Sequence, residues 1–538
     1  MKRVLMLLCA LLLCAAALSG CAKDAAPKDG KAANGEVILS DKTLRTGFEA
    51  QDDCRVFYEI FVGSFSDSDG NGVGDLRGII NRFDYLNDGD PDSGLSLGVE
   101  GIWLTPIFQS PSYHKYDVTD YYTIDPTFGT QEDLEDLIAL CHERNVRLIL
   151  DLPINHTGSK NEWFSRFRSA HIKKDVSDPY YDFYSFHARG ESGSGSYAQL
   201  PGTQDYYECN FSGDMPELNF DSAEARAAVV DVAKHYLDLG VDGFRFDAAK
   251  YIYFGDDGRS LSFWEWYLNE LRKIKPDLYT VSEVWDSDGI TDVYYAASNC
   301  FNFTAAQSSG IIAETAQAGD VNRYTAYVQS YLDRIEDIRP DAMIVPFVSN
   351  HDMDRAAGFL TVASGRMQMA ANLYLLGPGS PFIYYGEELG MRGSRGGANT
   401  DANRRLAMVW GDGDTVRDPA GTTYARDKQI EHGAAEQIGD SASLYNYYKK
   451  LIMIRKANPE IARGEYHALS FPGTKLGGFT STYEGSTVCV LHNPTLNEIT
   501  VDLSGLDLSE IRAVAGFGDA VLDGSELTLA SQTSVVLR

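Results

Sequence analysis

The sequence predicts an α/β protein: a closed (β/α)8 TIM barrel, an insertion subdomain after its third strand, and a C-terminal antiparallel β-sandwich. Three observations carry this. Short β-branched or aromatic runs alternate with longer amphipathic stretches, the pattern of parallel strands joined by crossover helices. Eight such strand–helix units follow one another, and the first is not followed by the Gly-rich phosphate turn of an open doubly wound sheet. Residues 465–538 instead carry short alternating stretches separated by Gly, Asn and Asp, as in a small sandwich.

In order, the strands are expected at 55–62, 99–108, 146–152, 241–247, 278–284, 299–303, 342–349 and 380–385. Between them, 131–144, 223–239 and 263–275 read as amphipathic helices, and 445–457 closes the barrel. The barrel domain is therefore placed at 47–464. The irregular excursion at 157–220 is too long to be filler and is expected to form a subdomain or binding loop. In the sandwich, 486–491, 498–503 and 533–537 are the clearest strands.

The N-terminus reads as an address. Lys2 and Arg3 precede an apolar run at 4–18, too short for an ordinary membrane span and suited to a signal peptide at 1–20. Leu18-Ser19-Gly20-Cys21 resembles the lipobox of bacterial lipoproteins, which would leave Cys21 as the lipid-bearing N-terminus. Residues 21–46 would then be a polar tether, and the protein extracytoplasmic and lipid-anchored to the bacterial cell membrane. That anchor is its one expected membrane contact. The 538 residues carry 47 Lys and Arg against 77 Asp and Glu, a net charge of −30, which argues against nucleic acid and anionic membrane surfaces as partners. An uncharged substrate suits this balance. The later cysteines, Cys54, Cys141, Cys209, Cys300 and Cys489, form no CxxC pair, so neither a metal site nor a disulfide scaffold is indicated.

Polar residues gather where the apolar runs end: Asp151 with Asn155 and His156, Arg245 with Asp247, Glu283, and His351 with Asp352. In a barrel these strand ends meet on one rim, where such enzymes keep their chemistry. Glycoside cleavage needs one carboxylate as nucleophile or base and another held protonated as acid. Arg245 lies two residues before Asp247 and so faces the same way on a strand, which assigns Asp247 as the anionic nucleophile. Glu283, beside Val284 and Trp285, is the better proton donor.

Four segments, Asp151-Leu-Pro-Ile-Asn155-His156, Gly243-Phe-Arg245-Phe-Asp247-Ala-Ala-Lys250, Glu283-Val-Trp285 and Phe347-Val-Ser-Asn-His351-Asp352, resemble the four ordered regions of the α-amylase family, glycoside hydrolase family 13. Met215-Pro-Glu-Leu-Asn219 resembles the fifth region in the form seen among amylase and neopullulanase relatives. His114-Lys-Tyr116 and the segment 381–390 also match the family's habits. The resemblance implies Asp247 as nucleophile, Glu283 as general acid/base and Asp352 as transition-state stabiliser. It further implies that Arg245, His156 and His351 hold the sugar at the cleavage site and that Tyr116 stacks beneath it. His114, Lys250 and Arg355 are also assigned to substrate binding. A retaining double displacement would set Asp247 and Glu283 about 5–5.5 Å apart. One departure stands out: Lys250 is followed by Tyr251, where the family's amylases commonly have His. That position meets the leaving-group sugars, so acceptor preference and the balance of hydrolysis and transfer are affected.

The segment Asp67-Ser-Asp69-Gly-Asn71-Gly-Val73-Gly-Asp75 alternates oxygen side chains with Gly. Such spacing lets a tight loop wrap a hard cation, as at positions 1 to 9 of an EF-hand loop, although Gly78 stands where the bidentate Glu would be. Asp67, Asp69, Asn71, the Val73 carbonyl and Asp75 are expected to bind a structural Ca²⁺. A similar loop occurs in the oligo-1,6-glucosidase-like and intermediary branches of the family. The 31 Tyr and 25 Phe exceed the usual needs of a core. Aromatics concentrate in the insertion, among them Trp163, Phe164, Tyr180, Tyr181, Phe183, Tyr184, Tyr206 and Tyr207. Most are expected to form its core and some to face sugar rings over the cleft.

The function implied is a retaining, endo-acting α-1,4-glucan hydrolase, an α-amylase, acting on starch and maltooligosaccharides. Within the same class the alternatives are an exo-acting α-glucosidase, a neopullulanase-like hydrolase or a transglycosylase. From another class, a non-catalytic starch-binding lipoprotein would be expected to have lost catalytic carboxylates, and all three stand here.

Overall fold

The computed structural model describes residues 50–538, except 192, together with the backbone of Val37–Leu39. The expected signal peptide, Cys21 and most of the expected tether lie outside the described residues. Seven parallel strands pair in the order Asn299–Cys300, Tyr279–Ser282, Gly243–Phe246, Arg147–Leu152, Gly101–Leu104, Phe57–Ile60 and Phe382–Tyr384. The eighth position is filled by the segment at 342–349, expected as a strand but joined by a single parallel bridge, Phe301 to Val345. Pro346 has no N–H to donate, which thins the ladder there. Closure nevertheless holds on both sides. Asn302 N donates to Val345 O (3.0 Å), while Ser380 N donates to Ile344 O (2.9 Å) and Phe382 N to Pro346 O (3.0 Å).

Helices follow each strand in turn, with the longest crossovers at Gln131–Glu143, Ala223–Leu239, Asp257–Ile274, Val321–Ile338 and Leu444–Ala457. Local chemistry sets their ends. Thr130 and Asp133 form a capping box, satisfying N–H groups that the first helical turn leaves free. Ser222 caps the next crossover, which ends at Gly240 in the left-handed conformation (φ 108°). Gly243 opens the fourth strand because a Cβ there would lie 2.0 Å from Tyr279 O.

Alternation along the strands builds the site. Phe57, Trp103, Ile149, Val281, Phe301, Phe347 and Phe382 fill the barrel's interior as one buried cluster. Phe57 and Phe382 stack with centroids 4.7 Å apart. Side chains two residues further along a strand point the same way, so Glu59, Asp151 and Glu283 rise into the layer above this apolar floor. Polar groups thus converge at the strands' C-terminal ends.

The insertion at 157–220 forms a helix, Glu162–Lys173, and a three-stranded sheet in the order Phe186–His187, Tyr206–Glu208, Tyr197–Gln199. The C-terminal domain packs a six-stranded sheet against a three-stranded one over Leu476, Cys489, Leu491, Val514, Leu527 and Val535. One strand of the larger sheet comes from the segment expected as a tether. Val37–Leu39 pairs antiparallel with 513–515, because this Val-Ile-Leu run suits a sheet edge that would otherwise stay open. Cys54, Cys141, Cys209, Cys300 and Cys489 are all free and buried.

Candidate active site

A cleft of about 820 Å³ opens at the C-terminal rim of the barrel, lined among others by Tyr116, His156, Phe211, Asp247, Lys250, Tyr251, Glu283, Trp285, Asp352 and Arg405. Beneath it Arg245, 1% exposed, organises the carboxylates. Its Nη1 meets Asp151 Oδ1 (2.8 Å) and Asp247 Oδ1 (2.6 Å), and its Nη2 meets Glu283 Oε2 (2.8 Å). One guanidinium therefore holds the nucleophile candidate on one arm and the acid candidate on the other. Arg245 and His351, expected to grip the sugar, lie below the cleft and act on the carboxylates that line it.

Glu283 Oε2 also accepts the Ala248 N–H (3.0 Å). Ala248 adopts a left-handed conformation (φ 44°, ψ 45°), which a residue with a Cβ takes only under local constraint. Both bonds fall on Oε2, so Oε1 is the oxygen left to carry a proton toward the cleft. Burial pushes the Glu283 carboxyl up to about 7, with Asp247 and Asp352 adding to the rise and Arg245 opposing it. Asp247 is also raised, by burial first, with Arg245 opposing. Asp352 goes the other way: burial raises it, but His351 and Arg405 outweigh burial and hold it well below the usual carboxylate range. Arg405 Nη2 lies 2.6 Å from Asp352 Oδ1, and His351 Nε2 lies 3.1 Å from Oδ2. His351 is in turn anchored by Glu59 (2.5 Å). Although burial disfavours its charge, Asp352 and Glu59 raise His351 to about 10. The site thus offers a proton donor, a carboxylate on a cation and a third, permanently anionic group, which is the equipment of glycosyl transfer.

The remaining expected residues divide. Tyr116 forms part of the cleft floor, its hydroxyl donating to Asp151 Oδ2 (2.8 Å) and its ring stacked on His351 (interplanar angle 11°). His114 and His156 also line the cleft, each held neutral near 4, chiefly by burial. Lys250 lines it while paired to Asp286 (2.6 Å). Arg355 does not. It is 1% exposed, donates to Tyr385 O (2.6 Å) and Arg404 O (2.9 Å), and stacks on Tyr384 and Tyr385. Its Nε and Nη1 go to backbone carbonyls away from the cleft, so the expected substrate contact is corrected to a structural one.

None of the eight aromatics singled out in the insertion lines the cleft. Phe164, Phe183, Tyr184 and Tyr207 are buried in the subdomain's core. The insertion's contribution is Phe211, Ser212 and Met215. Phe211, Arg405, Glu59 and Ala248 carried no signal in the sequence, since none belongs to a strand-end pair of charges or an aromatic run. In the loop at 67–75, oxygens of Asp67, Asp69 and Asp75 lie within 4.8 Å of one another. Asn71 Oδ1 instead accepts the Val73 N–H (2.7 Å).

The family described as "Alpha amylase, catalytic domain" matches residues 59–464. The chain belongs to the α-amylase family. Within it, α-amylase 3 of Dictyoglomus thermophilum is 36% identical over 448 residues, covering 82% of this chain and 85% of that one. A 4-α-glucanotransferase of Thermotoga maritima is 28% identical over 363 residues, covering 64% and 74%. Among solved structures, Eubacterium rectale Amy13B superposes with a TM-score of 0.85 at 34% identity, covering 93% of this chain and 99% of that one. This member of the α-amylase family is a glycoside hydrolase of the α-glucan-processing type.

Proposed function

We propose that the protein is a retaining, endo-acting α-1,4-glucan hydrolase that degrades starch and maltooligosaccharides. The observation carrying this is the single Arg245 guanidinium bonded to both Asp247 and Glu283 at the floor of the cleft. Bridging by one fork brings the nucleophile and the acid candidates to the same place on the cleft floor, as a double displacement at one glycosidic bond requires. Asp247 attacks the anomeric carbon while Glu283 gives its proton to the departing oxygen; Glu283 then takes a proton from the incoming water. Asp352 stays anionic throughout and stabilises positive charge developing at the sugar ring. A cleft of about 820 Å³, near the top of the range for ligand sites of about 300–1,000 Å³, suits a chain rather than one sugar. Maltoheptaose blocked at its non-reducing end is the test. Internal cuts with α-anomeric products are expected; products appearing only from the unblocked substrate would favour exo attack.

The loop at 67–75 is proposed to hold Ca²⁺. Ligands on opposite sides of one Ca²⁺ lie about 5 Å apart, so three carboxylates within 4.8 Å fit a single ion. Asp67, Asp69 and Asp75 would hold it. Asp67 also accepts from Gly72 N (2.7 Å) and Thr415 Oγ (2.6 Å), so the ion would stiffen this rim rather than join the reaction. Chelation is expected to lower Tm by a few °C; an unchanged Tm would remove the ion from the loop. The proposed anchor at Cys21 rests on the sequence alone. Cys21→Ser is expected to shift the protein from the membrane fraction to the soluble one, and equal fractionation would refute it.

A further inference from the structure

Two residues that line the cleft, His114 and Tyr116, flank a third that does not. Lys115 stands between them with φ 66°, in the left-handed region that a residue with a Cβ enters only when its surroundings hold it there. Glycine takes this conformation at no steric cost. A long cation stands here instead, and its side chain shows what holds it.

Segment 110–119 is the loop between two short strands, Phe108–Gln109 and Asp120–Ile124. A lysine ordinarily keeps its charged head in water, but Lys115 is only 7% exposed. Its Nζ turns back to Asp125 Oδ2 (2.7 Å) and Ser110 O (3.2 Å), over the ring of Phe128 (5.2 Å). Asp125 is buried as well and firmly tied. Its Oδ2 accepts the Ser110 N–H (3.2 Å), and its Oδ1 accepts the Thr127 N–H (3.0 Å) and hydroxyl (2.6 Å). Burial opposes ionisation of Asp125, yet Lys115 and Thr127 outweigh it and hold the carboxyl below its ordinary value. A pair buried this far is costly to break, because removing one partner strands the other charge. The pair therefore clamps the loop at its base and offsets the strain at Lys115.

The turn has consequences on both sides of Lys115. Tyr116 N–H points back and donates to His114 Nδ1 (3.2 Å). A ring nitrogen that accepts such a bond carries no proton. Burial, aided by Arg405, keeps His114 neutral down to about 4, so its one ring proton sits on Nε2. His114 thus enters the cleft wall as a hydrogen-bond donor of fixed tautomer. On the other side, the Tyr116 ring lies flat against His351 (11°) and its hydroxyl reaches Asp151 (2.8 Å). Lys115 N–H is itself taken by Ser112 Oγ (3.2 Å), which ties the turn on its inner side too.

We propose that Lys115 is a positioning residue: anchored on Asp125, it holds the left-handed turn that sets the His114 donor and the Tyr116 ring against the sugar at the cleavage site. Lys115 acts through these neighbours and lies outside the cleft itself. The inference rests on the cleft being the glucan site.

The experiment compares KM on maltohexaose for Lys115→Ala and Lys115→Gly. Both variants lose the ion pair, so both are expected to lower Tm. They differ at the turn. Alanine keeps the Cβ that disfavours this φ and has no anchor to hold it, so KM is expected to rise about tenfold. Glycine takes the conformation freely and is expected to bring KM back to within about threefold of wild type. A purely structural ion pair would give no such order. KM does not depend on the fraction of enzyme that is folded, so lost material does not imitate the effect. Asp125→Asn weakens the anchor while keeping Lys115, and a severalfold rise in KM is expected there, which covers an alanine variant that does not fold. KM within twofold of wild type in Lys115→Ala or, failing that variant, in Asp125→Asn would overturn the positioning role, as would a rise in Lys115→Gly equal to that in Lys115→Ala; each leaves the hydrolase reading intact. Wild type that releases no reducing ends from maltohexaose would overturn the hydrolase reading, and the role of Lys115 with it.

Discussion

Asp247→Asn is expected to lower kcat on maltooligosaccharides by on the order of 10⁴–10⁶, the usual cost of removing the group that forms the covalent bond. Stability is expected to move little, or upward. Three carboxyls, those of Asp151, Asp247 and Glu283, crowd one buried guanidinium, so the native site carries more negative charge than its cation offsets. Neutralising one acid relieves that repulsion, as is common where activity requires a strained arrangement. The pairing of near-total loss of turnover with an unchanged or raised Tm separates a chemical role from a folding one. Turnover within tenfold of wild type would remove Asp247 from the nucleophile position.

Glu283→Gln is expected to cost about 10²–10⁴ in kcat/KM on maltooligosaccharides, the range for general acid catalysis, and much less in kcat/KM on α-maltosyl fluoride, which reports the first step alone. Fluoride departs without protonation, so the acid's contribution to the first step is not needed there. The pH dependence follows from the proton on Oε1. Glu283 works as an acid only while protonated, and burial raises it to about 7. Activity on maltooligosaccharides is therefore expected to fall as pH rises through about 7, and this basic limb should be absent from the variant's fluoride kinetics. Asp247 must be ionised, so an acid limb appears as pH falls toward its raised value. Equal losses on both substrates would show that Glu283 serves another role. An unmoved basic limb in the variant would assign that limb to a different group.

Much of this site was legible in the sequence because barrel geometry translates order into place. Asp151, Arg245, Asp247, Glu283 and Asp352 sit where apolar runs end, and such ends share a rim. The crossover at 223–239 was equally plain, with a Ser cap before it, Gly240 after it and an apolar face between. Partners that reach the site from elsewhere were not legible. Arg405 comes from an irregular stretch after the last strand, and nothing in its neighbours marks it as the cation of Asp352. Glu59 reads as one polar residue in an apolar strand until the fold brings it under His351. Arg355, assigned to substrate binding, instead turns toward carbonyls of Tyr385 and Arg404, a direction the sequence does not encode locally. Composition flagged the aromatic surplus without placing it, since ring count does not distinguish a subdomain core from a cleft wall.

The pairing of Val37–Leu39 with the C-terminal sheet also sets a leash. With a lipid at Cys21, only the sixteen residues up to Val37 would separate the membrane from the folded body. A chain of that length spans at most about 53–58 Å when fully stretched, and roughly 20–24 Å on average if it is flexible. Moored at the edge of the sandwich rather than at the barrel itself, the catalytic domain would work in a thin layer above the lipid. Starch granules wider than that layer would then have to be reduced elsewhere before their chains could enter it, and soluble oligosaccharides diffusing to the cell surface would be the substrates such an anchored enzyme meets first.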